Sequence, residues 1–322
     1  MPNHWDNYWE NGIVSSISFD SGISFSKTIA NYWTNFFGQQ IDNCKILDVA
    51  TGNLIVPVFA LISSKNTNKL FDVHATDLAK IDLLSTVDKN PHLAEYLTQV
   101  KCLSRVNTEK LPFDNKSFDC ITSMHGFEYS SPEKNLSEFV RVLKNNGKIK
   151  LLCHCENSIF LQKNKTIMDC TNYILNHSNI FGLIQEMSYS MGTITNRDEL
   201  LSLKDNKNCE ENREKFNNTV SQLQQKYGDI LFATGISDFI STFFESLEQS
   251  THTYRQSLIE SNQISMGELL NRLIDLDKAA LSQNQINGIK THAQSLDLEI
   301  ISSQKLHDAH NNVLGVTFEL QK

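Results

Sequence analysis

The stretch KILDVATGNLIVPVFA, Lys45 to Ala60, decides the fold. An apolar run ends in Asp48, a turn of small residues follows, and a second apolar run begins at Leu54. The pattern is that of a buried strand, a tight turn and a helix, with Pro57 in the first helical turn, where proline is tolerated. A turn can approach a ligand closely only where side chains are small, and Ala50, Thr51 and Gly52 supply that. The helix behind it offers free N–H groups at its start. A dinucleotide turn needs G-x-G-x-x-G/A. Here Ala50, Gly52 and Ile55 hold the three positions, and the bulk of Ile55 disfavours a pyrophosphate and hence a nicotinamide cofactor. A ligand without phosphates needs less room.

Working outward, strand and helix patterns alternate. After the strand at 44–50 and the helix at 55–64 come a strand at 71–79, a short helical piece within 80–97, a weaker strand at 100–106 and a strand at 117–126. A helix over 131–147 is capped by Ser131, opened by Pro132 and stopped by Gly147, and a fifth strand covers 148–155. Such alternation predicts a mostly parallel sheet with helices on both faces. Between 156 and 294 strand signals fade and helical segments dominate, at 197–227, 229–249 and 266–287. Two closing strands, 296–308 and 313–322, are joined by a short turn and must be antiparallel. The expected fold is α/β: a Rossmann-like, mostly parallel seven-stranded sheet closed by an antiparallel C-terminal hairpin, with a helical insertion after strand 5. The corresponding regions are an aromatic helical cap (1–40), a core (41–155), the insertion (156–294) and the hairpin (295–322).

Composition narrows the function. The 322 residues are 40% hydrophobic and 20% charged, which suits one large domain or one with a sizeable insertion. The net charge of −8 disfavours nucleic acid as a partner. The most apolar stretch, Leu54 to Ile62, is broken by Pro57 and is too short for a membrane span, and the N-terminus lacks the pattern of a secretory signal. There are 7 cysteines and no CxxC pair. Cys153 and Cys155 flank His154 without metal-site spacing, so no metal is expected; in a strand the two thiols share one face and His154 takes the other. Reduced thiols in the cytoplasm are the expectation.

Ligands of such sheets sit beyond the carboxyl ends of the strands, near the switch point. Asp77, at the end of the second strand with Leu78 behind it, can accept hydrogen bonds from ribose hydroxyls. Asn107 and Thr108, after the third strand, can address an adenine edge.

In their order, these residues resemble the class I S-adenosylmethionine-dependent methyltransferases, and most closely the branch that includes ubiquinone/menaquinone-type and small-molecule methyltransferases. ILDVATGN is similar to that family's loop D-x-G/A-x-G-x-G. TDLA (76–79) looks like its acidic ribose loop, VNTEKLPFDNKSFDCITS (106–123) like DAExLPFxDxSFDxVxS, and EFVRVLKNNGKIKLL (138–152) like ExxRVLxPGGxxxL. The resemblance covers about 40–155 and the closing hairpin. It implies S-adenosyl-L-methionine as cofactor. Gly52 and the loop residues Asp48, Ala50 and Thr51 would hold the methionine moiety, Asp77 the ribose, Leu78 an adenine face, and Asn107 with Thr108 the adenine edge. Met124 and His125 would line the pocket. The sequence departs from the family at Leu54, where a third glycine is usual, at Asn107, where an acid is usual, and at Asn145-Asn146-Gly147.

A sulfonium methyl is already activated, so the enzyme mainly has to align a nucleophile and exclude water. His125 is the candidate base, with Glu128 and Tyr129 to orient an amine or hydroxyl; the alternative is that His125 only lines the cofactor pocket. Trp5, Tyr8 and Trp9 either close over cofactor or substrate, where aromatic faces suit a sulfonium, or pack the first helix onto the sheet. The insertion is a lid, a substrate-selecting region or a homodimer contact. The expected activity is methyl transfer to a small-molecule acceptor. The alternatives are a methyltransferase acting on protein or RNA, and a non-catalytic cofactor-binding scaffold.

Overall fold

The computed structural model describes residues 3–14, 23–247 and 250–322. Phe19 and the side chain of Phe25, two of the N-terminal aromatics, lie outside the described residues. Seven strands form one sheet: β1 (Cys44–Val49), β2 (Phe71–Asp77), β3 (Lys101–Ser104), β4 (Phe118–Met124), β5 (Leu143–Cys153), β6 (Glu299–His307) and β7 (Val313–Gln321). Their order is β3-β2-β1-β4-β5-β7-β6. Pairs among the first five are parallel, whereas β7 runs antiparallel to both β5 and β6. The chain therefore leaves β1 toward β2 and β3 on one side and returns to β4 on the other. This places the switch point at the tips of β1 and β4, where the loop after Asp48 meets the loop after Met124.

Alternation along β1 divides the core. Cys44 and Ile46 join one buried cluster with Trp33, Phe37, Leu54 and Val58, from α2 (Ile23–Gly38) and α3 (Ile55–Thr67) and the loop before it. Leu47 and Val49 join the other cluster, with Leu136 and Phe139 of α6 (Pro132–Val142) and Ile286 and Ile289 of α14 (Gln283–Ser295). Among the hydrogen bonds that fix α2, Trp33 Nε1 donates to Met124 Sδ at 3.3 Å, and the Tyr32 hydroxyl donates to Leu151 O at 3.0 Å.

Four helical expectations need correction. The stretch 197–227 holds two α-helices, Arg197–Ser202 and Lys207–Tyr227, the second started by Asn206, whose side chain accepts from Asn208 N and Cys209 N. The helix opened by Pro132 is capped by Ser131 as expected but ends at Val142, not Gly147. From Leu143 the chain is already strand, because Lys116 and Ser117 donate to the carbonyls of Arg141 and Val142 and turn the segment into the sheet. The stretch 229–249 holds two helices, α11 (Ile230–Thr234) and α12 (Ile236–Glu245), broken where Gly235 takes φ 77°. The stretch 266–287 spans the end of α13 (His252–Ala279) and the start of α14, because Leu281 makes a β-bridge to Cys155 and Ser282 starts a new helix with a capping box.

The chain divides into two compact units, Met1–Gln162 with Leu276–Lys322, and Lys163–Asp275. The second is helical and has its own core of Phe181, Ile184, Met187, Phe216, Phe239 and Phe243. No described helix is long and apolar enough to cross a membrane.

Candidate cofactor and acceptor site

The loop after β1 answers the question that Leu54 raises. Ala50, Gly52 and Leu54 take φ values of 50°, 52° and 75°. These are the three positions at which the resembled family carries glycine. The backbone thus keeps the left-handed conformation at all three, although two bear side chains, at a cost of about 1–2 kcal/mol each. Packing holds Leu54 there, since its side chain is wholly buried in the core beside α3. Leu54→Gly should therefore destabilise the protein, by about 2–3 kcal/mol after subtracting the relieved strain from a typical leucine-deletion loss. Urea unfolding measures this, and a stabilised Leu54→Gly protein would show that strain outweighs packing.

The loop is tied to its neighbours by buried carboxylates. Asp77 Oδ2 accepts from Gly52 N at 2.8 Å, and its Oδ1 accepts from Ala79 N at 2.7 Å. Asp48 Oδ1 accepts from the Thr122 hydroxyl at 2.7 Å. Burial pushes Asp77 up to about 6 and Asp48 up to about 7, with the charge of Asp77 adding to the rise at Asp48. Both carboxyls thus sit near the border of ionisation at neutral pH.

The N-terminal helix α1 (Asn3–Glu10) lies over these tips. Asp6 receives the Lys80 amide at 2.8 Å and a two-pronged contact from the Arg105 guanidinium. The buried Asn53 side chain donates to Trp9 O and Ile13 O, both at 2.8 Å. The Trp9 indole then covers Gly52 so closely that a Cβ on that glycine would fall 2.5 Å from the ring. Trp9 stacks with Trp5, and Trp5 meets Tyr8 and Tyr129 edge-on. What remains is a cavity of about 70 Å³ lined by Trp5, Trp9, Ala50, Asp77, His125, Gly126 and Tyr129.

Behind the cavity stand two histidines. His125, at φ 56° after β4, and His154, just past β5, are both buried, with ring centroids 3.9 Å apart. Glu128 Oε1 accepts from His154 N at 2.6 Å. Burial, reinforced by the facing imidazole, holds His125 well below its ordinary value; burial brings His154 down to about 3 and raises Glu128 to about 7. Nδ1 and Nε2 of His125, Nδ1 of His154 and Oε2 of Glu128 have no hydrogen-bond partner among the described residues, each at a cost of about 1–3 kcal/mol. No group of three metal-ligating side chains occurs among the described residues.

The structure thus brings Ala50, Gly52, Asp77, His125 and Tyr129 together with Trp5 and Trp9, and buries Asp48 and Thr51 beneath the loop. The other candidate residues lie outside this lining. Asn107 closes its own turn onto Glu109 N, and Thr108 donates to Asn135 Oδ1 at 2.9 Å. Met124 is held by Trp33, and Leu78 is exposed. Gly126, Asn53 and His154 were not among the expected site residues. For His154 the available signal was its place at a strand end, on the face opposite Cys153 and Cys155.

The donor set fits an adenosyl cofactor: a left-handed loop, a strand-end carboxylate and uncharged walls. The space does not yet fit it, because ligand pockets run to about 300–1,000 Å³ and Trp9 fills the ground over Gly52.

Sheet order, loop and strand-end acid define a Rossmann-like α/β domain. Residues 62–151 match a family model described as a methyltransferase domain. A comparison with curated proteins gave no match. Among solved structures the chain is similar to geranyl diphosphate C-methyltransferase from Streptomyces coelicolor A3(2), at 16% identity over 40% of this chain and 44% of that one, with a TM-score of 0.32. It is also similar to a SAM-dependent methyltransferase from Aquifex aeolicus, at 18% identity over 47% of this chain and 73% of that one, with a TM-score of 0.33. The chain spans less than half the length of the first of these.

Proposed function

We propose that the protein is an S-adenosylmethionine-dependent methyltransferase acting on a small-molecule acceptor in the cytoplasm. The observation that carries this reading is the loop at the switch point. Its three left-handed residues have the spacing D-x-G-x-G-x-G, and Gly52 N is bonded to the acid at the end of β2. The match of residues 62–151 to a methyltransferase domain supports it. All seven cysteines are free thiols, in keeping with a reducing compartment.

In this reading Ala50, Thr51 and Gly52 hold the methionine moiety, above Asp48. Asp77 holds the ribose, with Leu78, Asn107, Thr108 and Met124 on the adenine side. The bound cofactor supplies an electrophilic methyl group on a sulfonium. His125, Glu128 and Tyr129 face or back the acceptor, and Trp5, Tyr8 and Trp9 form its aromatic wall. The helical insertion contributes acceptor selection or a homodimer contact, for which its exposed Tyr189, Phe232 and Ile264 are the candidates.

Entry of the cofactor requires Trp9 to leave Gly52. A site that is mostly closed binds with an affinity reduced by its closed fraction. Trp9→Ala should therefore bind S-adenosylhomocysteine roughly tenfold more tightly than the wild type. Weaker binding in calorimetry would instead make Trp9 part of the liganded site.

The activity itself is tested with methyl-labelled S-adenosylmethionine and cell extract separated into small molecules, protein and RNA. Label is expected among the small molecules; label in protein or RNA would change the acceptor class. The filled ground over Gly52 favours one second reading, a cofactor-binding scaffold. Cofactor binding with label in no fraction would establish it.

A further inference from the structure

His125 lines the cavity with both ring nitrogens unpartnered, and His154 and Glu128 behind it each carry one more unpartnered polar atom. All three residues are more than nine-tenths buried. Unpaired buried groups call for a ligand that completes them. We propose that this cluster recognises a neutral hydroxyl on a planar acceptor, a phenol or its like, with His125 accepting the hydroxyl hydrogen and His154 acting as a positioning residue that braces the His125 ring. This rests on the methyltransferase reading.

Charge and shape select that chemistry. Among the described residues no lysine or arginine lines the cavity, so an anionic acceptor finds no counter-charge there. A cationic amine would face a sulfonium of like charge, and Asp77 is committed to Gly52 N, Ala79 N and, in the proposed complex, the ribose. A neutral imidazole beside a sulfonium avoids that repulsion and still accepts a hydrogen bond. Trp5, Trp9 and Tyr129 offer ring faces and edges to a planar aromatic acceptor. The left-handed backbone at His125 aims the ring, and its amide is anchored by donating to Leu152 O at 2.7 Å. The His154 ring lies against it, and Phe160 packs near both. In the transfer step the acceptor oxygen forms a bond to the methyl carbon as the carbon–sulfur bond breaks. That bonding pair stays on sulfur as a thioether, and the hydroxyl proton passes to His125.

The test uses the full chain at about pH 6, where 4-nitrophenol keeps most of its proton, with and without S-adenosylhomocysteine, and three probes: 4-nitrophenol, 4-nitroanisole and benzylamine. A site built around a hydroxyl rejects the analogue lacking its hydrogen, so 4-nitrophenol should bind at least about tenfold more tightly than 4-nitroanisole. His125→Phe should abolish the preference. The ring ¹⁵N resonances of His125 should move with 4-nitrophenol and not with 4-nitroanisole. That response should shrink in His154→Ala and return in His154→Phe, which restores an aromatic brace. Equal affinity for phenol and ether, preference for benzylamine, binding of no probe, or unmoved ¹⁵N resonances in the wild type would each overturn the proposal, and none of these depends on a variant folding. A ¹⁵N response unchanged in His154→Ala would overturn the bracing role. S-adenosylhomocysteine binding is read separately. If it binds and the phenol preference is missing, only the hydroxyl pocket falls; if it fails to bind while the preference stands, only the methyltransferase reading falls.

Discussion

Replacing Asp77 by alanine should weaken S-adenosylhomocysteine binding by about 100-fold or more. The carboxylate holds the loop through Gly52 N and its own turn through Ala79 N, and in the proposed complex it also receives the ribose. Hydrogen bonds to a charged group contribute about 1.5–3 kcal/mol each, and two of them from the ribose hydroxyls of the proposed complex account for a loss of that size. Asp77→Asn keeps one acceptor oxygen and should fall between the two. The fold should tolerate both changes, because burial already opposes the ionised form and brings the group to about 6. For the same reason affinity should decline as the pH falls from 8 to 5, since protonation removes the charged acceptor. Calorimetry across that range measures both effects, and an Asp77→Ala affinity within about threefold of the wild type would place the ribose elsewhere.

Asp48→Asn should stabilise the protein at pH 8 and leave it nearly unchanged at pH 4. Asp48 is buried and pushed from its ordinary 3.8 up to about 7. A folded-state value above the unfolded one means that the folded chain keeps its proton longer. Its stabilising share is full below about pH 4 and is lost as the pH rises through about 7, leaving an ionised carboxylate in the core at pH 8. Asparagine has the same shape, retains an oxygen for the Thr122 hydroxyl and never ionises. The gain at pH 8 is up to about 4 kcal/mol, three pKa units at about 1.4 kcal/mol each. The depressed values at His125 and His154 act in the opposite direction, removing stability as the pH falls below about 6.5. They are common to both proteins, so the difference between variant and wild type isolates Asp48. Equal shifts in melting temperature at both pH values would contradict the argument.

The sheet was legible because period and punctuation agree along it. The apolar run ending in Asp48, the acid closing β2 and the Ser131-Pro132 helix start are local signals, and six of the seven strands fall within the stretches read as strand, while β5 starts earlier, at Leu143. The misplaced helix ends were set by distant partners: Leu281 by its bridge to Cys155, and the end of α6 by amides preceding β4. Leu54 shows the same limit. Sequence marks it as a leucine where glycine is usual, but its left-handed backbone follows from the core that encloses its side chain. The proposed site draws on signals at the strand tips, Asp48, Gly52, Asp77 and His125, which the sequence places at the ends of successive strands. The Thr108 hydroxyl donates to Asn135, a residue on another element, and no local signal marks that contact. The cover that Trp9 forms over Gly52 and the pairing of His125 with His154 join residues far apart in the chain, and no spacing rule announces either.

The central claim is that the loop from Asp48 to Leu54 and the acid at Asp77 form a working site for S-adenosylmethionine. Titration calorimetry of the wild-type chain with S-adenosylhomocysteine tests it most directly, because the demethylated product needs no acceptor. One site per chain with micromolar affinity is the predicted result. No binding up to millimolar ligand, in the wild type and in Trp9→Ala alike, would contradict it.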